Sequence, residues 1–511
     1  MKFMFSLFRF LFKSSPRQSA AAASQSSSYL LVPELAQMQQ QLLAAFRMFP
    51  DFVSRTLPTQ PSIGVFYLSQ LVDDDVLLQA LLQPLQQTDG SNTPERLAEL
   101  LPSCELLPET DWETIQQYIL HGWTYIHVQG HAIGVLANTA KIRERTLMKP
   151  ENESQILGPQ IAFTENLTTN IALIHQYLRD PDLCEISMKL GKKTQTEIRL
   201  LFISNRADAE IVKYIHDKLQ ALELAAVIDT TILVQWLEDS PSSFFPQAVT
   251  TERLDRAIFP LLEGKIVIAV DGSPHVMISP STFLDFFKSI EDYYARWIIG
   301  LFLRGLRIIA IGISFYATAI YVAALTFHYE IIPQAVLVPL AQSRSRVPFP
   351  PLVEALMLET IIQLLSEAGA RLPTKVGQTM GIVGGIVIGQ AAVQAGFTSN
   401  ILIIIVALSA LSSFTTPILS MAFTIRIIRF PIIISAGLLG LFGMVFSTTL
   451  LVIHLLRLTS AGHPYFYPPY DIKEKNKRDG ILRIPFPMAP KRSVFADMGG
   501  MPRKGSPDID E

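Results

Sequence analysis

Glu354, Glu359 and Glu367 stand in the mostly apolar stretch Leu352–Ala368. An ionisable side chain at membrane depth faces a cavity, a partner or an interface, because lipid offers it no hydrogen bonds. The chemistry it then performs is to hold or pass ions. Glu354 and Glu359 are five residues apart, so helical spacing does not force them onto one face. The stretch reads either as a water-exposed interfacial helix or as one lining a channel. It leads into Val376–Gly396, where Gly377, Gly381, Gly384, Gly385 and Gly389 form a stripe nearly free of side chains. Tight helix packing is one reading of that stripe. A pore lining or a hinge is the other, because Gln378, Gln390 and Gln394 would be costly against lipid. The candidate pore and gating residues are Glu354, Glu359, Gln363, Gln378, Gly381, Gly384, Gly385, Gln390 and Gln394.

Other groupings promise less. Asp271-Gly272-Ser273-Pro274 offers a carboxylate beside a hydroxyl, but Asp, Gly and Pro in that order serve a hairpin turn. His121, His127 and His131 lie close in sequence without a Cys or carboxylate to complete a metal set. Asp73-Asp74-Asp75 opens a helix, where acids match the dipole. No phosphate-cradling loop or nucleophile elbow is present. The chain reads as no enzyme, with no cofactor, and its net charge of −3 argues against a nucleic-acid partner.

The elements around these residues fall into two halves. Ser62–Ser69 and Glu197–Ser204 are β-branched and aromatic runs of strand length, each followed by an amphipathic helical pattern. In the second pattern Ile211, Val212, Ile215 and Leu219 share one face. Gly122–Leu136 and Gly264–Ile278 then read as hairpins. Strand, helix and hairpin thus occur twice, which predicts two related α/β subdomains. From Gly300 to Leu456 the chain carries eight Lys/Arg, four Glu and no Asp, so the low overall charge of 17% is concentrated there. Trp297–Phe327, Val376–Gly396, Asn400–Ile425 and Phe430–Leu456 are each long enough to span roughly 30 Å of hydrocarbon. Arg304 and Arg307 are placed to snorkel at the first span, and Ile331–Ala341 reads as re-entrant or interfacial. The basic tail after Leu456 marks the cytoplasmic side, and four spans return the chain there, with Arg426 and Arg429 outside.

The expected organisation is a basic amphipathic, low-complexity segment (1–28), an α/β subdomain (29–142), and a linker helix with a second α/β subdomain (143–292). An all-α polytopic transmembrane bundle (293–457) and a polar, partly disordered tail (458–511) follow. Within that frame, SRVPFPPLVEALMLETIIQLLSEAGARLP, VGQTMGIVGGIVIGQAAVQAG and LLEGKIVIAVDGSPHVMISPSTFLDFFKSIEDYY, with FHYEIIP and HLLRLTSAGHPYFYP, resemble the A subunits of GerA-type spore germinant receptors. The resemblance runs from about Phe46 to Pro469. It departs from the family at Gln160 and Ile161, where an Arg-Glu pair is common. It implies a nutrient-sensing subunit in the spore inner membrane, a homo-oligomer that passes monovalent cations. Its implied partners are membrane lipid, a transporter-like B subunit and a lipoprotein C subunit. A secondary transporter subunit and a non-conducting membrane scaffold are the alternatives.

Overall fold

A computed structural model describes residues 32–86, 93–102, 104–140, 157–371 and 389–466, together with Pro150, Glu153 and Gln155. The expected strands and hairpins are present, and edge strands complete them. β1 (Phe52–Leu57), β2 (Ile63–Leu68), β3 (Leu106–Glu109), β4 (Trp123–Val128) and β5 (Gly134–Asn138) form an antiparallel sheet in the order β1-β2-β4-β5-β3. β6 (Leu183–Leu190), β7 (Thr196–Ile203), β8 (Val249–Thr251), β9 (Ile266–Val270) and β10 (Val276–Ser279) form a second, in the order β6-β7-β9-β10-β8. Position by position, the two orders are the same.

Each sheet is covered on both faces, which is why its central strands are apolar throughout rather than alternating. On the first, α1 (Leu35–Ala45) packs with the later Trp112–Leu120 helix against Phe66, Tyr125 and Leu136. The opposite face meets α2 (Pro94–Leu100) and the π-helical turn Val76–Leu82, through Leu77, Leu81 and Leu97 on Val65, Ile126 and Val128. Asp73 opens that turn by accepting from the amides of Asp75 and Val76. Writing the Trp112–Leu120 helix as α3, the second sheet carries α4 (Leu167–Tyr177), α5 (Ala209–Gln220), α6 (Thr230–Leu237) and α7 (Leu254–Leu262). The expected face of α5 is buried on Leu200, Phe202 and Ile268. α4 and α7 cover the other face, and their core continues without interruption into the helical region through Phe286, Phe315 and Val322.

A buried charge cluster joins the two sheets. Glu185 accepts from Arg199 (2.9 Å) and contacts the His175 ring, and its amide donates to Met48 of the first unit. Asp51 lies beside them, and burial, reinforced by Glu185, raises its carboxyl above the usual range. A carboxyl whose folded pKa is raised favours the folded state while it is protonated, a contribution fully present below the unfolded pKa and lost as pH rises through the folded one. Asp51→Asn is therefore expected to raise the melting temperature at neutral pH. The gain should shrink as pH falls toward the usual carboxylate range, where the wild-type carboxyl is itself protonated. An unchanged difference across pH 4–7, measured by thermal melts, would count against this.

The helical region comprises α8 (Trp297–Thr326), α9 (Gln334–Arg344), α10 (Pro351–Arg371), α11 (Asn400–Ser413) and α12 (Leu419–Arg457). α8 and α12 are long and apolar enough to cross a membrane. Three expectations are corrected here. Asn400–Ile425 is not one helix: it stops at Phe414, and Pro417, which lacks an amide hydrogen, precedes a new start at Leu419. The next apolar run is not one span either, because α12 reverses at Gly440 (φ 62°, ψ −143°). The Ser435 and Ser447 hydroxyls lie 2.8 Å apart, whereas a straight helix would hold residues twelve apart at about 18 Å. Arg426 and Arg429 are not in an outer loop but inside the first arm of this hairpin.

Candidate functional site

Of the three glutamates in Leu352–Ala368, Glu354 and Glu359 are in the interior of the bundle, whereas Glu367 is exposed and pairs with Arg371. Glu359 is 4% exposed and bridges three helices. Its Oε1 accepts from Thr318 of α8 at 2.8 Å and its Oε2 from Arg429 Nη1 of α12 at 2.8 Å. Arg429, 3% exposed, spends Nη2 on the Ser314 hydroxyl (2.7 Å) and the Ser409 carbonyl of α11 (3.3 Å). The Ser409 hydroxyl donates to the Ser314 carbonyl (3.1 Å), closing a ring of four helices around one ion pair. Ser314, Thr318 and Tyr321 follow the spacing of one helical face, so α8 presents a polar seam to this ring.

One and a half turns earlier on α10, Glu354 Oε1 accepts from the Thr398 hydroxyl (3.0 Å) and the Ser399 amide (2.6 Å). Arg344 of α9 lies 3.7 Å from its other oxygen. The Tyr321 and Ser399 hydroxyls meet at 3.0 Å on the same level. Toward the other end of α10, Gln363 and Ser366 share a cavity of about 10 Å³ with Glu359, Ser413, Arg426 and Arg429, room for roughly one water. Arg426 donates from Nε to Ser413 (3.2 Å) and lies over the Phe414 ring at 4.6 Å.

Of the remaining candidates, Gln390 and Gln394 are exposed on the helical stretch that ends before Gly396. Gln378, Gly381, Gly384 and Gly385 lie outside the described residues. The structure thus brings Glu354, Glu359 and Gln363 together with groups that sequence reasoning missed: Arg429, Arg344, Thr318, Ser314 and Ser409. The signal for Arg429 was its charge inside an apolar run. Its partner lies 70 residues away, beyond any local pattern.

Two attachments at its ends join this bundle to the second sheet, besides the contacts of Thr424 with the Phe244 carbonyl and of His454 with Ser243. At its start, Arg307 grips Asp292 with both terminal nitrogens (3.0 and 3.2 Å) and Arg304 Nε adds a third contact at 3.4 Å. Asp292 is fully buried, so these arginines do not snorkel to solvent as expected but clamp the helix to the preceding segment. At its end, β11 (Thr459–Ser460) and β12 (His463–Pro464) lie against the second sheet. Asp239 accepts from Thr459 and Gly462, both at 2.9 Å, the Ser281 amide donates to Ser460, and the Phe283 amide donates to the Tyr465 carbonyl. Tyr465 is fully buried between Phe283 and Phe286.

The turn expected at Asp271–Pro274 is present, and His127 and His121 lie in different surroundings. Asp271–Pro274 is the β9–β10 turn, with Gly272 at φ 82°. His127 is buried in β4 beside the Tyr125 hydroxyl, whereas His121 contacts Arg179 of the second unit.

Paired α/β sheets joined to a helical region with two helices long and apolar enough to cross a membrane fit a membrane-associated protein. The family model "Bacillus/Clostridium GerA spore germination protein" matches residues 40–495. The chain belongs to this GerA family of spore germination proteins. It is 43% identical to spore germination protein GerQA of Bacillus cereus, over 89% of this chain and 92% of that one. Spore germination protein KA of Bacillus subtilis is 37% identical, over 87% and 82%. The crystal structure of the N-terminal domain of the A subunit of the Bacillus megaterium germinant receptor GerK3 aligns with a TM-score of 0.39 and 25% identity, covering 50% of this chain and 98% of that one.

Proposed function

We propose that the chain is the A subunit of a nutrient-sensing germinant receptor, and that copies of it assemble into a ligand-gated channel for monovalent cations. In this reading a transporter-like B subunit and a lipoprotein C subunit are its partners. Nutrient binding on a partner biases the open state. The observation that carries the reading is the Glu359–Arg429 ring: a buried ion pair held by hydroxyls and a carbonyl from neighbouring helices is expected where charge serves ion passage. The candidate pore is the Leu352–Gly396 region, whose glycine stripe and Gln378, Gln390 and Gln394 are the lining that the sequence offers to an axis shared by the copies. The boundaries 29–142, 143–292 and 293–457 serve as the two α/β units and the bundle.

The order of contacts among the described helices supports five passages by them rather than the four expected spans. α10 descends from Tyr321 past Thr318 toward Ser413, and α11 descends from Ser343 to Arg426. The two arms of α12 run out to His328 and return to Ser243. α8 runs outward and the second arm of α12 returns to the second unit, so both ends are assigned to one side, here the cytoplasmic or spore-core side of the inner membrane.

The test is reconstitution of the full chain with its B and C partners and measurement of nutrient-triggered cation current. Gly384→Trp or Gly385→Trp is expected to abolish or strongly reduce conduction, and wild-type currents in variants that still assemble would sink this pore. The break at Gly440 favours one second reading, a transporter with a discontinuous helix at its site. Nutrient uptake without current would select it.

A further inference from the structure

The second sheet holds a cavity that the ion path does not use. It measures about 210 Å³ and lies between α7 and the segment from Ser281 to Tyr293. A cavity of roughly 150 Å³ admits benzene, so this one has room for a small ligand or the head of a larger one. One wall is apolar, formed by Val249, Ile278, Ile290 and the stacked pair Phe259 and Tyr293 (5.7 Å). The opposite wall is charged. Asp285 is saturated: Lys265 (2.6 Å), Lys288 (2.9 Å) and both the amide and hydroxyl of Thr282 donate to it. Lys288 spends one of its three N–H donors on that carboxylate. Burial opposes its charge, but Asp285 and Glu263 hold the ammonium well above the ordinary lysine range. Lining cations Arg256, Lys265 and Lys288 outnumber Glu263 and Asp285 by one. Glu153 holds Arg256 from outside the lining at 3.4 Å and offsets that excess. The balanced charges do not suit a polyanion, and the remaining donors of Lys288 beside the apolar wall suit a single negative charge on an apolar stem.

We propose that this cavity binds an amphiphilic anion, with its charged head on Lys288 and its stem against Phe259, Ile278 and Tyr293. The site sits where both attachments of the bundle meet the sheet. Ser281 and Asp285 belong to the segment whose Phe283 and Phe286 hold Tyr465, and Ile290 and Tyr293 flank Asp292, which clamps α8. Occupancy would stiffen the joint through which the sheet acts on the bundle. Binding stands without the channel reading, and only its effect on conduction rests on that reading.

The anion has two sources, an acidic phospholipid of the leaflet beside α8 or a soluble short-chain carboxylate. Full-length protein in phosphatidylcholine nanodiscs, with and without phosphatidylglycerol, separates them. Native mass spectrometry reads retained phosphatidylglycerol, and calorimetry in the phosphatidylcholine discs reads binding of hexanoate. Wild type is expected to retain the acidic lipid over phosphatidylcholine, or to bind hexanoate. Lys288→Gln is expected to weaken that binding by about tenfold, as loss of a charged hydrogen bond does. Val249→Phe fills the cavity, leaves every charge in place and should weaken binding as much, with thermal melts reporting the fold. Absence of binding in both arms, or binding undiminished by Val249→Phe, overturns the proposal.

Discussion

Arg429→Ala is expected to destabilise the helical region by about 3–5 kcal/mol, the usual result of stranding one partner of a buried ion pair. Glu359 would keep its hydrogen bond from Thr318 but lose the charge that balances it, and Ser314 and Ser409 would each lose a donor. The double variant Glu359→Leu, Arg429→Leu removes both charges and should recover most of the loss, because the pair itself gains little over apolar side chains once desolvation is counted. Thermal unfolding of the detergent-solubilised full chain provides the comparison. If the double variant is as unstable as the single one, the cost lies in packing rather than in the stranded charge. If it is stable but silent in the current assay, the pair serves gating rather than folding.

The second large effect is at the apex of α12. A Cβ on Gly443 would stand 2.0 Å from the Ser435 carbonyl oxygen and 2.6 Å from its carbon, both backbone atoms of the opposing arm. Neither can swing aside as a flexible side chain would, so Gly443→Val must splay the hairpin and break the Ser435–Ser447 contact. Overpacking of this kind costs about 1–3 kcal/mol or more. The larger consequence would be the loss of the seat that α12 offers α8 along Tyr316–Thr448. We expect Gly443→Val to abolish nutrient-triggered germination while leaving the α/β region folded, which limited proteolysis and circular dichroism would read. Normal germination in this variant would mean the two arms do not meet in the working protein.

The two α/β units were legible because their central strands are buried on both faces and hence apolar throughout. Their hairpins also carry Gly at positive φ, as Gly130 and Gly272 do. The edge strands were not legible. β1 is half exposed, β3 contains Pro108, and β8 is three residues long, so none carries a strong periodic signal. In the bundle, composition located the apolar stretches but could not show that α12 doubles back, since one glycine in an apolar run looks like a packing contact. The site was half legible. A glutamate among leucines announces itself, but the arginine that answers it is fixed by tertiary contact. Arg304 and Arg307 were misread for the same reason, because Asp292 lies on a separate turn of chain.

The strap at Thr459–Tyr465 and the Asp292 clamp have a mechanical consequence. A body fastened at a single point swivels freely, whereas one pinned at two points can only rock about the line joining them. The bundle leaves the second sheet at Asp292, is fastened to it again at Ser460 and also meets Phe244 and Ser243 through Thr424 and His454, so even that single rotation is restrained. A displacement of the sheet is thereby expected to carry the helices with it.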